Sequence, residues 1–313
     1  MMRMIKKIMI AVDDSLHSKN AVRYVTRLSS RLESLNYVLF NAQPMVSQFL
    51  VDEAKKNAKS QRELKAVMER NAIKSQKLLD NFRLLMLQEG VDESRIQTVT
   101  KPRNLDIGKD IIEYAQAGRF DALVIGRRGI SSVQELFMGS VSSNITQNSN
   151  IIPVWIIGGD IAPAKFLVAV DGSEYSLRAI DHLAFALSDA VGISLTFLHV
   201  RPKLKDYCEV DFEATQAETL EDLIRKGDKA CIDNFYTIAL KKLNEFDLGE
   251  DRIQTRTVTG LANIGAAILK EVQTGSYDTV VMGRSGVNKS FFTGSVTNTV
   301  LNKISKGAVW LVP

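Results

Sequence analysis

The sequence has few cysteines and histidines and no long apolar run, and each shortage excludes a class of protein. Two cysteines in 313 residues, Cys208 and Cys231, cannot form the disulfide framework of a small secreted protein. The three histidines, His17, His182 and His199, share no metal-ligand spacing, so no metal site is predicted. The strongest apolar run, IIPVWII, is interrupted by proline and is far shorter than the roughly 18 residues of a membrane span. We therefore expect a cytoplasmic protein.

An excess of charge of one sign is also missing. The 40 basic and 36 acidic residues leave a net charge of +4 and are spread along the chain, so nucleic acid is not an expected partner. Near the start, the apolar run IMIAV ends at Asp13, which predicts a strand rather than an export signal. A hydrophobic content of 45% in a chain of this length is enough for two cores.

The chain contains an internal repeat. Four different segments recur with offsets of 155 to 158 residues, which chance does not produce in one register. We therefore predict two domains of the same fold, residues 1–158 and 163–313, joined by the turn-rich segment GGDIAP. The matched pairs are IAVDDS at 10–15 with VAVDGS at 168–173, RIQT at 95–98 with RIQT at 252–255, IGRRG at 125–129 with MGRSG at 282–286, and GSV at 139–141 with GSV at 294–296.

Each half alternates short apolar segments with longer amphipathic ones. This pattern indicates βαβ units, and hence an α/β fold with two tandem, doubly wound, Rossmann-like parallel sheets of five strands. The polar stretches 52–89 and 209–244 have helical spacing and predict long helices. Strands are predicted at 6–12, 36–42, 95–100, 121–126 and 151–157, and at 165–171, 193–200, 253–258, 277–283 and 307–312.

The repeated motifs fall where a doubly wound sheet binds ligands. Asp13 and Asp171 end the first strand of each half, and a glycine motif follows each fourth strand. Glycine lets the backbone approach a ligand closely, so its N–H groups can line an anion site. Ser140 then opens a helix, whose first N–H groups are unpaired and whose dipole favours negative charge. A phosphate group is the expected occupant.

These residues resemble the motifs of the universal stress protein family, in its ATP-binding branch. That branch carries an aspartate after the first strand and the motif Gly-x2-Gly-x9-Gly-Ser/Thr after the fourth, which Gly126, Gly129, Gly139 and Ser140 satisfy. The resemblance covers essentially the whole chain twice. It implies a stress-response regulator with an adenine nucleotide alpha hydrolase-like fold that binds ATP, with or without Mg, in one or both domains.

The resemblance also assigns residues to the ligand. Residues at the ends of the first two strands would lie beside the adenosine, with Val200 contacting adenine through its backbone. The glycine motifs would hold ribose and phosphates, and Gly260 would let a further loop approach. The implied residues are Ala11, Asp13, Gly126, Arg127, Arg128, Gly129, Gly139, Ser140, Val141 and Ser142 in the first half, and Ala169, Asp171, Val200, Gly260, Gly283, Arg284, Gly286, Gly294, Ser295, Val296 and Thr297 in the second.

Each half departs from the family pattern once. The second has seven rather than nine residues between Gly286 and Gly294, which predicts a tighter phosphate loop. In the first, Lys101 and Pro102 stand where the second has Gly260, so a side chain either fills the pocket or reaches a phosphate.

Simpler interpretations of the same residues stay open. The two aspartates could cap helices while the glycines form turns, and the arginines of the motif could be solvated loop residues. Four serines suit capping or first-turn positions, and two tryptophans suit packing in equivalent strands. These residues are Ser15, Ser18, Ser173 and Ser176, and Trp155 and Trp310.

The sequence favours a binding protein over an enzyme. No serine-histidine-acid set, glutamate pair or Walker lysine accompanies the glycines, so at most slow ATP hydrolysis is expected. Two alternatives remain: a member of the family that binds no nucleotide and acts through protein contacts, and an enzyme of the related nucleotidyl transferases, whose signatures are absent.

The resemblance implies a pairing of the two domains as well. Single-domain relatives pair through the edge strand that ends each domain, which here means IIPVWII and GAVWLVP. We therefore expect an internal pseudo-dimer, with a further homodimer allowed but not required. Separately expressed halves that show no tendency to associate would count against it.

Overall fold

The structure is a computed structural model in which residues 5–104, 106–128, 138–201, 214–259, 263–285 and 294–313 are described. The chain divides into two compact units, Met1–Asp160 and Ile161–Pro313. Both are α/β units built on parallel strands, which confirms the predicted fold class. None of the helices in the described ranges has the length and apolar character needed to span a membrane.

The first unit has the strand order β3-β2-β1-β4-β5, and its described strand pairs are parallel. Ala11 of β1 lies opposite Phe40 of β2 and Ile125 of β4, so the ends of these three strands meet at one edge. Helix α1 packs against α3, and α4 packs against α5. The elements are β1 (Lys6–Ala11), α1 (Leu16–Ser29), β2 (Leu35–Ala42), α2 (Gln48–Ala54), α3 (Ala58–Gln88), a 3-10 turn (Glu93–Arg95), β3 (Ile96–Lys101), α4 (Ile107–Ala117), β4 (Ala122–Gly126), α5 (Ser140–Asn148) and β5 (Val154–Gly158).

The second unit repeats this arrangement with the order β8-β7-β6-β9-β10. Ala169 of β6 lies opposite Leu198 of β7. Cys231 is exposed on the long helix α7, while Cys208 lies outside the described residues. The elements are β6 (Lys165–Val170), α6 (Glu174–Leu187), β7 (Ser194–Arg201), α7 (Ala214–Asn244), a 3-10 turn (Glu250–Arg252), β8 (Ile253–Thr259), α8 (Ile264–Gly275), β9 (Thr279–Gly283), α9 (Ser295–Lys303) and β10 (Gly307–Val312).

Buried strand residues form the core of each unit. Every residue of β4, an inner strand of the first unit, is buried, as expected for a parallel strand covered by helices on both sides, and every residue of β10 is buried as well. Trp155 and Trp310 are fully buried in β5 and β10, and the Trp310 ring lies 5.2 Å from that of Phe166. The prediction that both tryptophans are packing residues is confirmed.

Strand β5 starts later than predicted. The apolar pattern predicts a strand from residue 151, but Ile151 is largely exposed and the strand begins at Val154. Pro153 has no N–H to donate to the sheet, although its carbonyl accepts a hydrogen bond from the Leu123 amide at 2.9 Å. The strand therefore forms only after the proline.

His182, on α6, makes the second unit sensitive to acid. Its ring lies 5.9 Å from that of Trp310, and burial lowers its pKa to about 4. As the pH falls from about 6.5 to about 4, His182 is protonated in the unfolded chain but stays neutral in the folded chain. The free energy of unfolding therefore decreases. We expect a loss of roughly 2.5 kcal/mol at about pH 4.5, measured by urea unfolding. His182→Phe should lack this component; equal acid sensitivity in the variant would contradict the assignment.

Candidate functional site

A cavity of about 120 Å³ opens at the carboxyl ends of the strands in the first unit. It lies at β1 and β4, where the strand order reverses and where doubly wound sheets bind ligands. The structure brings six of the predicted residues together around it. They are Ala11, Asp13, Gly126, Arg128, Val141 and Ser142.

Asp13 points one carboxylate oxygen at the first turn of α1. Its Oδ1 accepts a hydrogen bond from the Ser18 hydroxyl at 2.6 Å, and its amide donates to Ser18 Oγ at 2.9 Å. The helix cap is Ser15, whose Oγ accepts from the Ser18 amide at 3.1 Å. The capping interpretation of Asp13 is therefore wrong, and that of Ser15 is confirmed. Among the described residues, none donates to Asp13 Oδ2, which leaves that oxygen for a ligand.

Asp171 repeats this geometry in the second unit. Its Oδ1 accepts from the Ser176 hydroxyl at 2.5 Å and from the Ser173 amide at 3.0 Å. Ser173 caps α6 by accepting from the Ser176 amide at 3.2 Å. The same local sequence thus presents a strand-end carboxylate twice.

The first glycine of each motif is required by the protein itself. A β-carbon on Gly126 would lie 2.7 Å from the carbonyl carbon of His17, in the first turn of α1, and one on Gly283 would lie 2.9 Å from the matching atom of Tyr175. Real β-carbons do not approach backbone so closely. These glycines therefore let the helix pack onto the strand end.

The third glycine of each motif caps the last helix without a side chain. Gly139 and Gly294 have φ of −63° and −59°, which any residue can adopt, so the motif does not need glycine here for its backbone angles. Their own amides donate to the carbonyls of Arg127 and Arg284, each at 3.0 Å, and are not free for a ligand. The amides of the first helical residues, beginning at Ser140, have no partner within the helix. These amides can donate hydrogen bonds to an anion.

Two residues of the helix motif hold α5 and α9 in place. The Ser142 hydroxyl donates to the Gly126 carbonyl at 2.8 Å, and that of Thr297 donates to the Gly283 carbonyl at 3.2 Å. Both hydroxyls are buried, so each fixes the helix start against the end of its strand. Ser140 and Ser295, by contrast, are exposed.

The motif arginines are buried, so their interpretation as solvated loop residues is wrong. Arg127, Arg128 and Arg284 are each less than one-tenth exposed. Burial, together with the nearby charge of Arg128, lowers the pKa of Arg127. Burial and then Arg128 also lower the pKa of His17, against the opposing effect of Asp13. The first site therefore has a positive local potential beside its carboxylate.

Some residues at which the two halves depart from the family pattern lie outside the residues that the structure describes. Lys101 is exposed, with its Nζ 6.0 Å from the Tyr114 ring, and it does not line the cavity, so the expectation that it fills the pocket is wrong. Val200 is buried at the end of β7. Three predicted residues, Gly129, Gly260 and Gly286, lie outside the described residues.

Sequence reasoning missed part of the cavity wall. Phe40 and Asn41, at the end of β2, and Ile107 and Ile111, on α4, line the cavity with Ser18. The Asn41 amide donates to the Val12 carbonyl at 2.6 Å. The sequence did contain a signal for the end of β2. Val200 was predicted to contact adenine from the end of the second strand of its half, and the repeat places Ala42 and its neighbours at the same position in the first unit.

Comparison with known proteins matches both units to one family. The sequence model of the universal stress protein family matches residues 4–158 and 164–313. A universal stress protein from Archaeoglobus fulgidus has a TM-score of 0.66 and 16% identity, with 98% of this chain and 97% of that chain covered. Universal stress protein YxiE of Bacillus subtilis is 31% identical over 90 residues, which are 28% of this chain and 57% of that protein. A universal stress protein solved in complex with cAMP matches 49% of this chain and 99% of that one, at 21% identity and a TM-score of 0.35.

Proposed function

The chain belongs to the universal stress protein family, with two copies of the family domain in tandem, and on that premise we propose that it is an ATP-binding stress-response regulator. The nucleotide would occupy the site at the carboxyl ends of β1 and β4, with the matching site of the second unit as a weaker second position. The chain would then bind a nucleotide rather than catalyse a metabolic reaction.

One observation supports the proposal most strongly: a carboxylate, an apolar cavity and an uncapped helix start lie together in one unit. Asp13 Oδ2 can accept a hydrogen bond from a ribose hydroxyl. Ile107 and Ile111 offer apolar surface to a base. The start of α5 offers unpaired amides, and Arg128 a guanidinium, to phosphate oxygens. Each part of a nucleotide thus has a chemically matched partner.

The residues that would hold Mg²⁺ are few. Among the described residues, no group of three or more His, Cys, Asp or Glu side chains could hold a metal ion. Mg²⁺ often binds through one or two carboxylates together with substrate phosphates, so it would bind here mainly through ATP. When bound, it would neutralise phosphate charge. The phosphate groups would otherwise be bound by the chain's own amides and by Arg128.

The two sites differ in one buried cation. The repeat places Ser285 where the first unit has Arg128, while Arg127 and Arg284 match. Both Arg128 and Ser285 are buried, so the difference lies inside the sites rather than on the surface. We therefore expect the first unit to bind polyphosphate more tightly than the second.

Exchanging these two residues tests that difference. Arg128→Ser gives the first unit the second unit's residue and should weaken ATP binding by about tenfold to a hundredfold, since hydrogen bonds to charged groups contribute about 1.5–3 kcal/mol. Calorimetric titration of the full chain measures it. The matched variant is Ser285→Arg, which should strengthen the weaker site. Unchanged affinity in both variants would remove Arg128 from the site.

Asp13→Ala tests the adenosine end of the site. It should weaken binding at the first unit by about tenfold to a hundredfold and leave the fold intact, since the side chain serves the strand end rather than the core. Asp171→Ala should act in the same way at the second unit. Asp14→Ala is the matched control, because Asp14 is the exposed neighbour and should bind as the parent does. Parental affinity in the double variant Asp13→Ala, Asp171→Ala would show that the adenosine is held elsewhere.

A further inference from the structure

Each unit holds the peptide group before its strand-end aspartate from both sides. In the first unit the Asp13 amide donates to Ser18 Oγ at 2.9 Å, and the Val12 carbonyl accepts from Asn41 Nδ2 at 2.6 Å. The position of Asp13 therefore depends on Asn41, which lies on the neighbouring strand. An uncharged amide performs this role.

The second unit has a histidine in the same place. The Asp171 amide donates to Ser176 Oγ at 3.1 Å, and the Val170 carbonyl lies 3.1 Å from His199 Nδ1. His199 matches Asn41 at the offset of 158 that relates the two aspartates. The same peptide group is thus held by a titratable ring.

The long helix behind each strand supplies a different partner. In the first unit the Ser75 hydroxyl donates to Asn41 Oδ1 at 2.5 Å. In the second, His199 Nε2 lies 3.0 and 3.1 Å from the two carboxylate oxygens of Asp228, and Arg201 Nε donates to Asp228 Oδ2 at 3.3 Å. The side chains of His199 and Asp228 are only 5% and 11% exposed. His199, Asp228 and Arg201 form what we term the His199 cluster.

The geometry requires both ring nitrogens of His199 to donate. A backbone carbonyl can only accept, so Nδ1 must carry a proton towards Val170. The Asp228 carboxylate also accepts from the Arg201 guanidinium, so its oxygens act as acceptors and Nε2 must carry a proton as well. A neutral ring has one N–H and would turn a lone pair towards an oxygen. With both nitrogens occupied, His199 cannot act as a general base on a ligand.

The described contacts around His199 involve two charged residues. On β8, the residue opposite His199 is Thr257, which is uncharged. From α7 the facing charge is Asp228, and from β7 it is Arg201. On β6, the Asp171 carboxylate follows Val170 and is engaged by Ser176. Asp228 and Arg201 therefore set the charge balance around His199.

We propose that His199 is a charged positioning residue of the second unit, which holds the Val170–Asp171 peptide, and with it Asp171, through Nδ1–H while Nε2–H pairs with the Asp228 carboxylate. The first unit uses the uncharged Asn41 for the same purpose. The effect on ligand binding rests on the proposed function, whereas the effect on Asp171 does not.

Nuclear magnetic resonance of the full chain, with ¹⁵N in the histidine rings and the backbone, tests the proposal. The chain has only three histidines, and His199→Asn identifies the signals of His199. In the folded chain both ring nitrogens of His199 should give the shifts of protonated nitrogens, and Asp228→Asn, which removes the carboxylate that Nε2 faces, should move the amide signal of Asp171 together with the ring signals. The amide signal of Asp13 should not follow. A His199 ring with one unprotonated nitrogen, or an Asp171 signal that Asp228→Asn leaves unchanged, overturns the proposal.

Variants separate positioning from simple structural damage. His199→Asn combined with Asp228→Asn copies the uncharged arrangement of the first unit and should keep the Asp171 amide signal near its parental position, whereas His199→Ala should move it. If the double variant does not fold, His199→Ala alone decides: an Asp171 signal that stays at its parental position in that variant overturns the proposal.

Calorimetry adds the consequence for the ligand. In a chain whose first site is disabled by Gly139→Val, His199→Ala should weaken ATP binding at the second site by about tenfold, because one hydrogen bond from a charged ring is lost. His199→Asn combined with Asp228→Asn should restore the affinity, and an equal loss in that variant overturns the positioning role. Absence of ATP binding in the Gly139→Val chain contradicts the proposed function instead, and the ring and amide signals still decide the role of His199.

Discussion

Gly126→Val is expected to destabilise the first unit strongly. Its β-carbon would lie 2.7 to 2.9 Å from the backbone and β-carbon of His17, so α1 would have to move off the end of β4. Overpacking of this kind usually costs 1–3 kcal/mol, and a clash with backbone rather than a flexible side chain places the cost at about 3 kcal/mol or more. Urea unfolding followed by circular dichroism measures it.

Gly294→Ala is the control for that substitution. A β-carbon there would meet Arg284 and Ser285 only at 3.7 Å, an ordinary contact, so the change in stability should be below about 0.5 kcal/mol. Gly283→Val should repeat the damage in the second unit, because its β-carbon would meet Tyr175 in the same way. A Gly126→Val chain that unfolds at the parental urea concentration would show that the helix is not held this closely.

Gly139→Val is expected to abolish nucleotide binding at the first unit without unfolding it. The backbone at Gly139, with φ of −63° and ψ of 152°, suits valine, and its amide can still donate to the Arg127 carbonyl. The loss must then come from the ligand: a branched side chain at the start of α5 would stand between the helix amides and the phosphates. We expect a loss of about a hundredfold or more.

Ser140→Ala is the comparison for that loss. It removes one exposed hydroxyl and leaves the helix amides, so affinity should fall by only about fivefold, equivalent to about 1 kcal/mol. Circular dichroism and calorimetry on both variants separate folding from binding. If Ser140→Ala reduced binding more than Gly139→Val, a side chain rather than the helix backbone would be the main phosphate ligand.

The repeat made most of the fold predictable. Once IAVDDS and VAVDGS are set in register, each half has five short apolar segments in corresponding places, and alternation with helices requires parallel strands. The strand-end positions of Asp13 and Asp171 follow directly. Glycine and serine residues mark these turns, so the local sequence is enough to predict where each strand ends.

The contacts of the site were harder to predict, because they join residues far apart in the chain. The hydrogen bond from Asn41 to the Val12 carbonyl depends on the pairing of β1 with β2 and on the direction of one side chain. The glycine at 126 suggested a close approach to a ligand, whereas the close neighbour is α1. No turn motif marks the end of β2 or the burial of Arg128, so neither could be read from sequence pattern.

Calorimetric titration of ATP into the nucleotide-free chain and into Gly139→Val and Gly294→Val tests the central claim most directly. We expect a tighter and a weaker site in the parent, with Gly139→Val removing the tighter and Gly294→Val the weaker. Folded variants that both bind ATP at the parental stoichiometry would contradict it, and would favour a member of the family that acts through protein contacts alone.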